Sequence, residues 1–90
     1  MLNMSNLAFK IQVIESESGW GRKLDDWMVC LSIEDTIKFK EEFNSKNTST
    51  TTPDWYMQVE GDPEPINLSE IQYSKLIEQK RIWLSLLNKL

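Results

Sequence analysis

Four carboxylates flank a Gly-Trp-Gly triplet, with Glu15 and Glu17 before it and Asp25 and Asp26 after it. If two strands end on either side of this connection, the four side chains gather at one rim of a sheet. Such a cluster can bind Mg²⁺ or Ca²⁺, or raise one carboxyl pKa for acid–base work. However, the spacing matches no calcium-loop motif, and an Arg-Lys pair lies between the two acidic pairs. We therefore expect a solvated, partly neutralised rim and no metal site.

Other catalytic chemistry has few residues to work with. The sequence contains no histidine, which excludes Ser-His and Cys-His catalysis and histidine-bound metals. Cys30 is the single cysteine, so an internal disulfide or a multi-cysteine zinc site is excluded. Its apolar surroundings, WMVCLSI, favour a buried, inert thiol over a reactive one. We expect a non-enzymatic protein with no catalytic residue, cofactor or metal.

Charge and hydropathy restrict the partners. The net charge is −4, which does not favour binding to nucleic-acid phosphates. The start of the chain, MLNMSNLAFK, lacks the pattern of a signal peptide. The apolar run IWLSLL is far shorter than the ~20 residues that span a bilayer. These features predict a soluble, cytoplasmic protein without membrane contact.

Two alternating segments predict the strands that position the acidic rim. Apolar and polar residues alternate over residues 7–14 and again over residues 27–33, so a hairpin is expected with residues 15–26 as its loop. Trp20 lies within that loop, between two glycines. The flexible glycines leave two orientations open for its ring. It either folds back as a lid over the core or projects as an anchor for a partner.

A first helix is predicted after Ser32, which is suited to capping it. Acidic residues occupy the expected first turn, where they favour the helix dipole. The hydroxyl-rich residues 44–52 indicate a connecting loop, with a phosphate-binding element as the alternative. The expected apolar stripe of the helix consists of Ile33, Ile37, Phe39 and Phe43.

A third strand is predicted at WYMQVE, residues 55–60, followed by a stiff turn at GDPEP, residues 61–65. Trp55 and Tyr56 then point to opposite faces of the sheet. Tyr56 is expected to pack against a cross-strand neighbour, with stacking on a nucleotide base as the alternative. Ser69 and Gln72 form a capping-box pattern, so a second helix is expected from residue 70 to the C-terminus.

The last part of this second helix, RIWLSLLNKL, is apolar around most of its circumference. Ile82, Trp83 and Leu86 with their apolar neighbours exceed what one helix contact needs. Three interpretations stay open, namely burial in the core, a homodimer interface, or a surface for another protein.

The predicted element order is β-β-α-β-α. It indicates an α+β fold with a three-stranded, mostly antiparallel sheet and two helices on one face of it. Residues 1–90 form a single domain in this prediction. Its β-β-α-β core spans residues 7–60, and residues 69–90 form a C-terminal amphipathic helix.

The stretches ESESGWG at residues 15–21 and PDWYM at residues 53–57 resemble small accessory proteins of tailed bacteriophages, which share an ES-x-x-GWG loop and a P-D-W-Y-M strand. The resemblance covers about residues 9–60 and leaves out the C-terminal helix. It implies a phage protein acting in the cytoplasm of a bacterial host. It implies no enzymatic activity and no catalytic residue.

Together these features predict a protein-binding module, in particular a phage-encoded inhibitor of a bacterial host protein or defence complex, of the anti-CRISPR or another anti-defence type. The alternative is a small-ligand or nucleotide binder that uses the Gly-Trp-Gly and Thr-rich loops. Tryptophan, tyrosine and arginine dominate the energetics of protein interfaces. The predicted partner-binding residues are Trp20, Arg22, Trp55, Tyr56, Ile82, Trp83 and Leu86.

Overall fold

In the computed structural model, which describes residues 6–17, 19, 21–46 and 55–90, a four-stranded antiparallel sheet packs against three helices. The α+β class is as predicted, but the sheet has one strand more than expected. The strand order is β3-β1-β2-β4. The elements are β1 (Leu7–Glu17), β2 (Gly21–Cys30), α1 (Ile33–Lys46), β3 (Trp55–Asn67), α2 (Glu70–Gln79), β4 (Arg81–Trp83) and α3 (Leu84–Leu87).

The hairpin of β1 and β2 is longer than the sequence predicted. The expected loop over residues 15–26 is wrong, because the two strands stay paired until only residues 18–20 connect them. Past an irregularity beyond Val13, Glu15 lies opposite Lys23 in the ladder. Opposite charges at such cross-strand positions stabilise the pairing by roughly 0.2–1 kcal/mol. Gly19 and Gly21 have φ angles of 84° and 88°, which explains why the connection uses glycine.

β3 is also longer than predicted. The expected turn at residues 61–65 is wrong, since β3 continues through it to Asn67. Gln12 pairs with Glu60 and Lys10 with Glu64, so residues 61–63 bulge opposite one residue of β1. Gly61 begins this bulge with a φ of 82°. Because side chains with a Cβ rarely adopt this φ, the position favours glycine, and a Cβ atom there would also displace Nε2 of Gln12, 3.1 Å away.

The helices cover both faces of the sheet, whereas one covered face was expected. Successive side chains of a strand point to opposite faces, so Val29 contributes to one core cluster and Cys30 to the other. The cluster under α1 consists of Ile11, Val13, Met28, Cys30, Phe39 and Val59. The cluster under α2 and α3 consists of Ala8, Val29, Leu68, Leu76, Ile82 and Leu87.

The start of α1 is as predicted, but its orientation is not. The Ser32 hydroxyl oxygen accepts the backbone N–H three residues on, at 3.1 Å. Thr36 and Phe39 face the sheet, while Ile33 and Ile37 of the expected apolar stripe are 48% and 44% exposed. The buried Thr36 hydroxyl donates to the Ile33 carbonyl oxygen at 2.6 Å, which satisfies it inside the core.

α2 begins at the predicted capping box. The Gln72 N–H donates to the Ser69 hydroxyl oxygen, and the Ser69 N–H donates to the Gln72 side chain. The predicted continuation to the C-terminus is wrong, because the helix ends at Gln79 and Lys80 has a φ of 74°. The chain then forms a strand.

The strand β4 exists because β2 leaves an edge open for it. Val29 pairs with Ile82, and Met28 pairs with Trp83. As neighbours in a strand, Ile82 and Trp83 contact opposite core clusters, which one face of a helix could not achieve. In the described ranges, no helix is both long and apolar enough to cross a membrane.

Candidate functional site

Three of the predicted partner-binding residues meet at the free end of the hairpin. Ser16 pairs with Arg22 on one side and with Tyr56 on the other, so these two lie in one row across the sheet. Trp55 pairs with Glu17 in the next row, and its side chain is outside the described part of the structure. Trp20 lies outside the described residues, so both orientations of its ring stay predictions.

The other three predicted residues lie at the opposite end of the sheet. Ile82 is buried in the core at 7% exposure. Trp83 is half-buried, with its ring edge-on to Phe39 at 6.2 Å between centroids. Leu86 is 47% exposed and is the most accessible of the three. Since residues 80–83 are not helical, the continuous apolar helix face proposed for a homodimer does not form.

Near the hairpin end, one sheet face carries apolar side chains that belong to neither core cluster. Ile14 pairs with Leu24, and Trp27 pairs with Gln12 in a neighbouring row. Because Gln12, Ile14 and Ser16 alternate along β1, the residues paired with them point to the same side. We call this surface the open face, and it consists of Ile14, Leu24, Trp27 and Tyr56 with Lys10, Arg22 and Glu60.

The apolar residues of the open face are not part of the core. Ile14, Leu24, Trp27 and Tyr56 belong to neither core cluster nor to the residues packed against them. Leu24 is 50% exposed, and the other three are half-buried. The fold therefore does not need these side chains for its interior.

Charged side chains border the aromatic rings of the open face. The Lys10 ammonium nitrogen lies 4.3 Å from the centroid of the Trp27 ring, which is a cation–π contact. Arg22 forms an ion pair with Glu60 across β1. Their side chains are 55% and 33% exposed, so the pair contributes little to stability and can rearrange on binding.

The depressions near the hairpin end are small. One of about 240 Å³ is lined by Ile14, Leu24 and the Arg22–Glu60 pair. Another of about 230 Å³ lies beside Glu15 and Glu17. Sites for small molecules usually enclose about 300–1,000 Å³. The open face is therefore better suited to contact with another protein than to enclosing a small ligand.

Asp26, one of the four carboxylates that were predicted to gather at the rim, instead bonds to the start of α3. The Asp26 carboxylate accepts the Ser85 hydroxyl at 2.6 Å and the Trp27 N–H at 2.7 Å. It also accepts the Ser85 N–H at 3.3 Å, so it caps the start of α3. Across the described residues, no group of three or more potential metal-ligating side chains comes together.

A cluster of ion pairs around one arginine, Arg81, lies on the α1 side of the sheet and was not predicted from the sequence. Arg81 contacts Asp35 through two hydrogen bonds of 3.0 and 2.8 Å and Glu42 through one of 3.0 Å. Its guanidinium carbon also lies 5.6 Å from the Phe39 ring centroid. The hydrogen bond from Arg81 lowers the pKa of Asp35, and the same contact raises the pKa of Arg81. The sequence pattern placed Arg81 on a helix, where these contacts could not be foreseen.

Cys30 lies beneath this cluster. Burial, with a smaller contribution from the neighbouring Asp35 carboxylate, raises the pKa of its thiol to about 12. The thiol therefore stays protonated at neutral pH and has little nucleophilic character. Its burial agrees with the sequence-based prediction.

Side chains of α1 occupy the outer edge of β3. Asn44 donates to the Val59 carbonyl oxygen at 3.0 Å and accepts the Val59 N–H at 2.8 Å. The Lys40 ammonium donates to the Gly61 carbonyl oxygen at 3.1 Å. These contacts replace the hydrogen bonds that a further strand would make, and so they protect this stretch of the edge from pairing with another chain.

Comparison of the chain with protein families, with curated proteins and with solved structures found no match.

Proposed function

We propose that the chain is a non-enzymatic protein-binding module and that the open face is its contact surface. The observation that carries this proposal is the position of Trp27, Tyr56, Ile14 and Leu24 side by side outside both core clusters. Exposed apolar groups arranged in this way are typical of protein contact sites. Tryptophan, tyrosine and arginine are also the residue types most enriched at binding hot spots, and all three are present here.

The proposed partner is a bacterial host protein or defence complex, and the proposed effect is inhibition. This part of the proposal is supported by the resemblance of residues 15–21 and 53–57 to phage accessory proteins. A small module without a catalytic centre can inhibit by covering a surface that its target needs. The binding energy would come from the aromatic and apolar side chains, with the Arg22–Glu60 pair rearranging towards the partner.

Small-ligand binding through the Gly-Trp-Gly and Thr-rich loops remains a weaker proposal. Trp20 and residues 47–54 lie outside the described residues, and the depressions near the hairpin end are below the usual ligand-site volume. No geometry of the described residues favours it over protein contact.

The test uses two variants of the open face, Leu24→Glu and Tyr56→Ala, and Ile71→Glu as a matched control. Ile71 is 69% exposed on α2, outside the open face, so its substitution adds the same charge elsewhere. Tagged proteins would capture partners from a bacterial host lysate for identification by mass spectrometry. Binding of the purified partner would then be measured by calorimetry.

We expect each open-face variant to weaken binding by about tenfold or more, which corresponds to about 1.4 kcal/mol. The control should bind like the wild type, and all three melting temperatures should stay close to the wild-type value. Unchanged binding by both open-face variants, or equal weakening by the control, would show that the open face is not the contact surface.

A further inference from the structure

A separate cleft lies on the α1 side of the sheet, between α1 and the bulge of β3. Its volume is about 440 Å³, within the usual range for small-molecule sites. Ile37 and Pro63 supply its accessible apolar lining, and the fully buried Ile11 lies beneath them. Lys40, Glu41 and Asp62 supply its charged lining. The open face is on the other side of the sheet, so the two surfaces are independent.

The bulge of β3 is what forms the cleft. Residues 61–63 extend away from regular pairing with β1, and Ile11 opposite them lies at the base of the cleft. Ile37 faces the same space from α1 and is 44% exposed. The cleft thus accounts for an exposed apolar residue in the middle of α1 that the core does not use.

Backbone pairing is not the means of recognition at this cleft. Asn44 already bonds both backbone groups of Val59, and Lys40 bonds the Gly61 carbonyl oxygen. An extended peptide would have to displace these contacts to add as a strand. A compact ligand that uses only the apolar lining and the charged groups does not.

The charges of the cleft favour a cation. The Lys40 ammonium is already engaged with a carbonyl oxygen, 3.1 Å away. Neither Glu41 nor Asp62 forms an ion pair with any described residue. The two carboxylates and the one ammonium give the cleft lining a net negative charge, which would attract a positively charged group.

We propose that this cleft binds a small amphiphilic organic cation, namely a primary ammonium group on a short aliphatic or aromatic body. The body lies against Ile37 and Pro63, above the buried side chain of Ile11. The ammonium lies at the opening, where Glu41 and Asp62 accept its hydrogen bonds.

The test is an NMR titration of the ¹⁵N-labelled full chain with three probes of equal size. They are 4-phenylbutylamine, which is cationic at neutral pH, 4-phenylbutan-1-ol and 4-phenylbutanoate. We expect amide shifts confined to Ile37, Gly61, Asp62 and their neighbours. The amine should bind about three- to fivefold more tightly than the alcohol, as expected for an exposed ion pair, and the carboxylate should bind most weakly.

The double variant Glu41→Gln/Asp62→Asn should reduce the affinity for the amine to that for the alcohol while leaving the affinity for the alcohol unchanged. Glu64→Gln is the matched control, because this exposed carboxylate is in the same strand but outside the cleft lining. Equal affinity of the wild type for amine and alcohol, shifts located on the open face, or no shifts at millimolar probe would each overturn the proposal. Much tighter binding of acetyl-Leu-Lys-amide at the same residues would reassign the cleft to a peptide and overturn it as well.

Discussion

Replacing Asn44 with alanine should destabilise the fold because it removes two hydrogen bonds between α1 and the outer edge of β3. The Asn44 side chain makes two hydrogen bonds with the backbone of Val59, at 3.0 and 2.8 Å. Val59 is 1% exposed, so alanine leaves a donor and an acceptor with little access to water. A hydrogen bond contributes about 0.5–1.5 kcal/mol net, and a buried group left without a partner costs about 1–3 kcal/mol.

Helix propensity partly offsets this loss. Alanine is favoured over asparagine inside a helix by roughly 0.5 kcal/mol. The expected net change in the free energy of unfolding is therefore a decrease of about 2 kcal/mol. With a denaturant slope of about 1–3 kcal/mol per molar urea, the midpoint should fall by roughly 1 M.

Urea unfolding followed by circular dichroism would measure this change. Ser45→Ala is the control, because Ser45 is exposed and its hydroxyl donates to the Glu42 carbonyl oxygen within α1. This substitution should shift stability by less than about 0.5 kcal/mol. Asn44→Asp keeps an acceptor for the Val59 N–H but places a carboxylate oxygen near the Val59 carbonyl, so it should be at least as unstable as Asn44→Ala. If Asn44→Ala is as stable as the Ser45→Ala control, the side chain does not support the edge and the reasoning is refuted.

Two further predictions concern the cluster around Arg81. Asp35→Asn should lower stability by about 1 kcal/mol at neutral pH, a value that allows for the partial exposure of the pair. Because folding lowers the Asp35 pKa from 3.8, its carboxylate stabilises the fold above that pH and loses this effect as the pH falls through the folded-state pKa. Urea midpoints measured against pH should therefore converge for the two proteins below about pH 4, and a gap that is constant with pH would contradict this. Cys30, with its pKa raised to about 12, should react with Ellman's reagent roughly 100-fold faster in urea than in the native state. Equal rates would show that the thiol is accessible in the fold.

The features that the sequence predicted correctly depend on neighbours close in the chain. Ser32 and the Ser69–Gln72 pair cap helices through contacts three residues away. The alternation along β1 follows from the period of a strand, so Ile11 and Val13 could be assigned to one face. These patterns are visible without knowledge of the rest of the chain.

The features that it predicted wrongly depend on distant partners. Residues 81–83 form a strand because β2 offers an unpaired edge, and a window around Ile82 contains no information about that edge. The outer hairpin, where Glu15 lies opposite Lys23, is held by backbone pairing and has no buried side to produce an apolar alternation. In α1, Thr36 faces the sheet and is buried while Ile37 is exposed, although isoleucine is the more hydrophobic of the two.

The candidate site was predictable in part for the same reasons. Residue type alone indicated Arg22 and Tyr56, and the sheet places them in one row. Leu24 and Trp27 were not predicted as contact residues, because their position outside both core clusters becomes visible only in the folded sheet. The cleft beside α1 could not be foreseen, since it requires the bulge that begins at Gly61.

The position of β4 next to β2 has a consequence for how the molecule forms during synthesis. Val29 and Ile82 are far apart in the chain, yet their pairing completes the sheet and contributes to one of its two cores. Pairings between distant segments form late and slow the folding of a domain. Until residue 83 has left the ribosome, the edge of β2 at residues 28–30 lacks its partner strand, and the nascent chain carries an exposed template for aggregation.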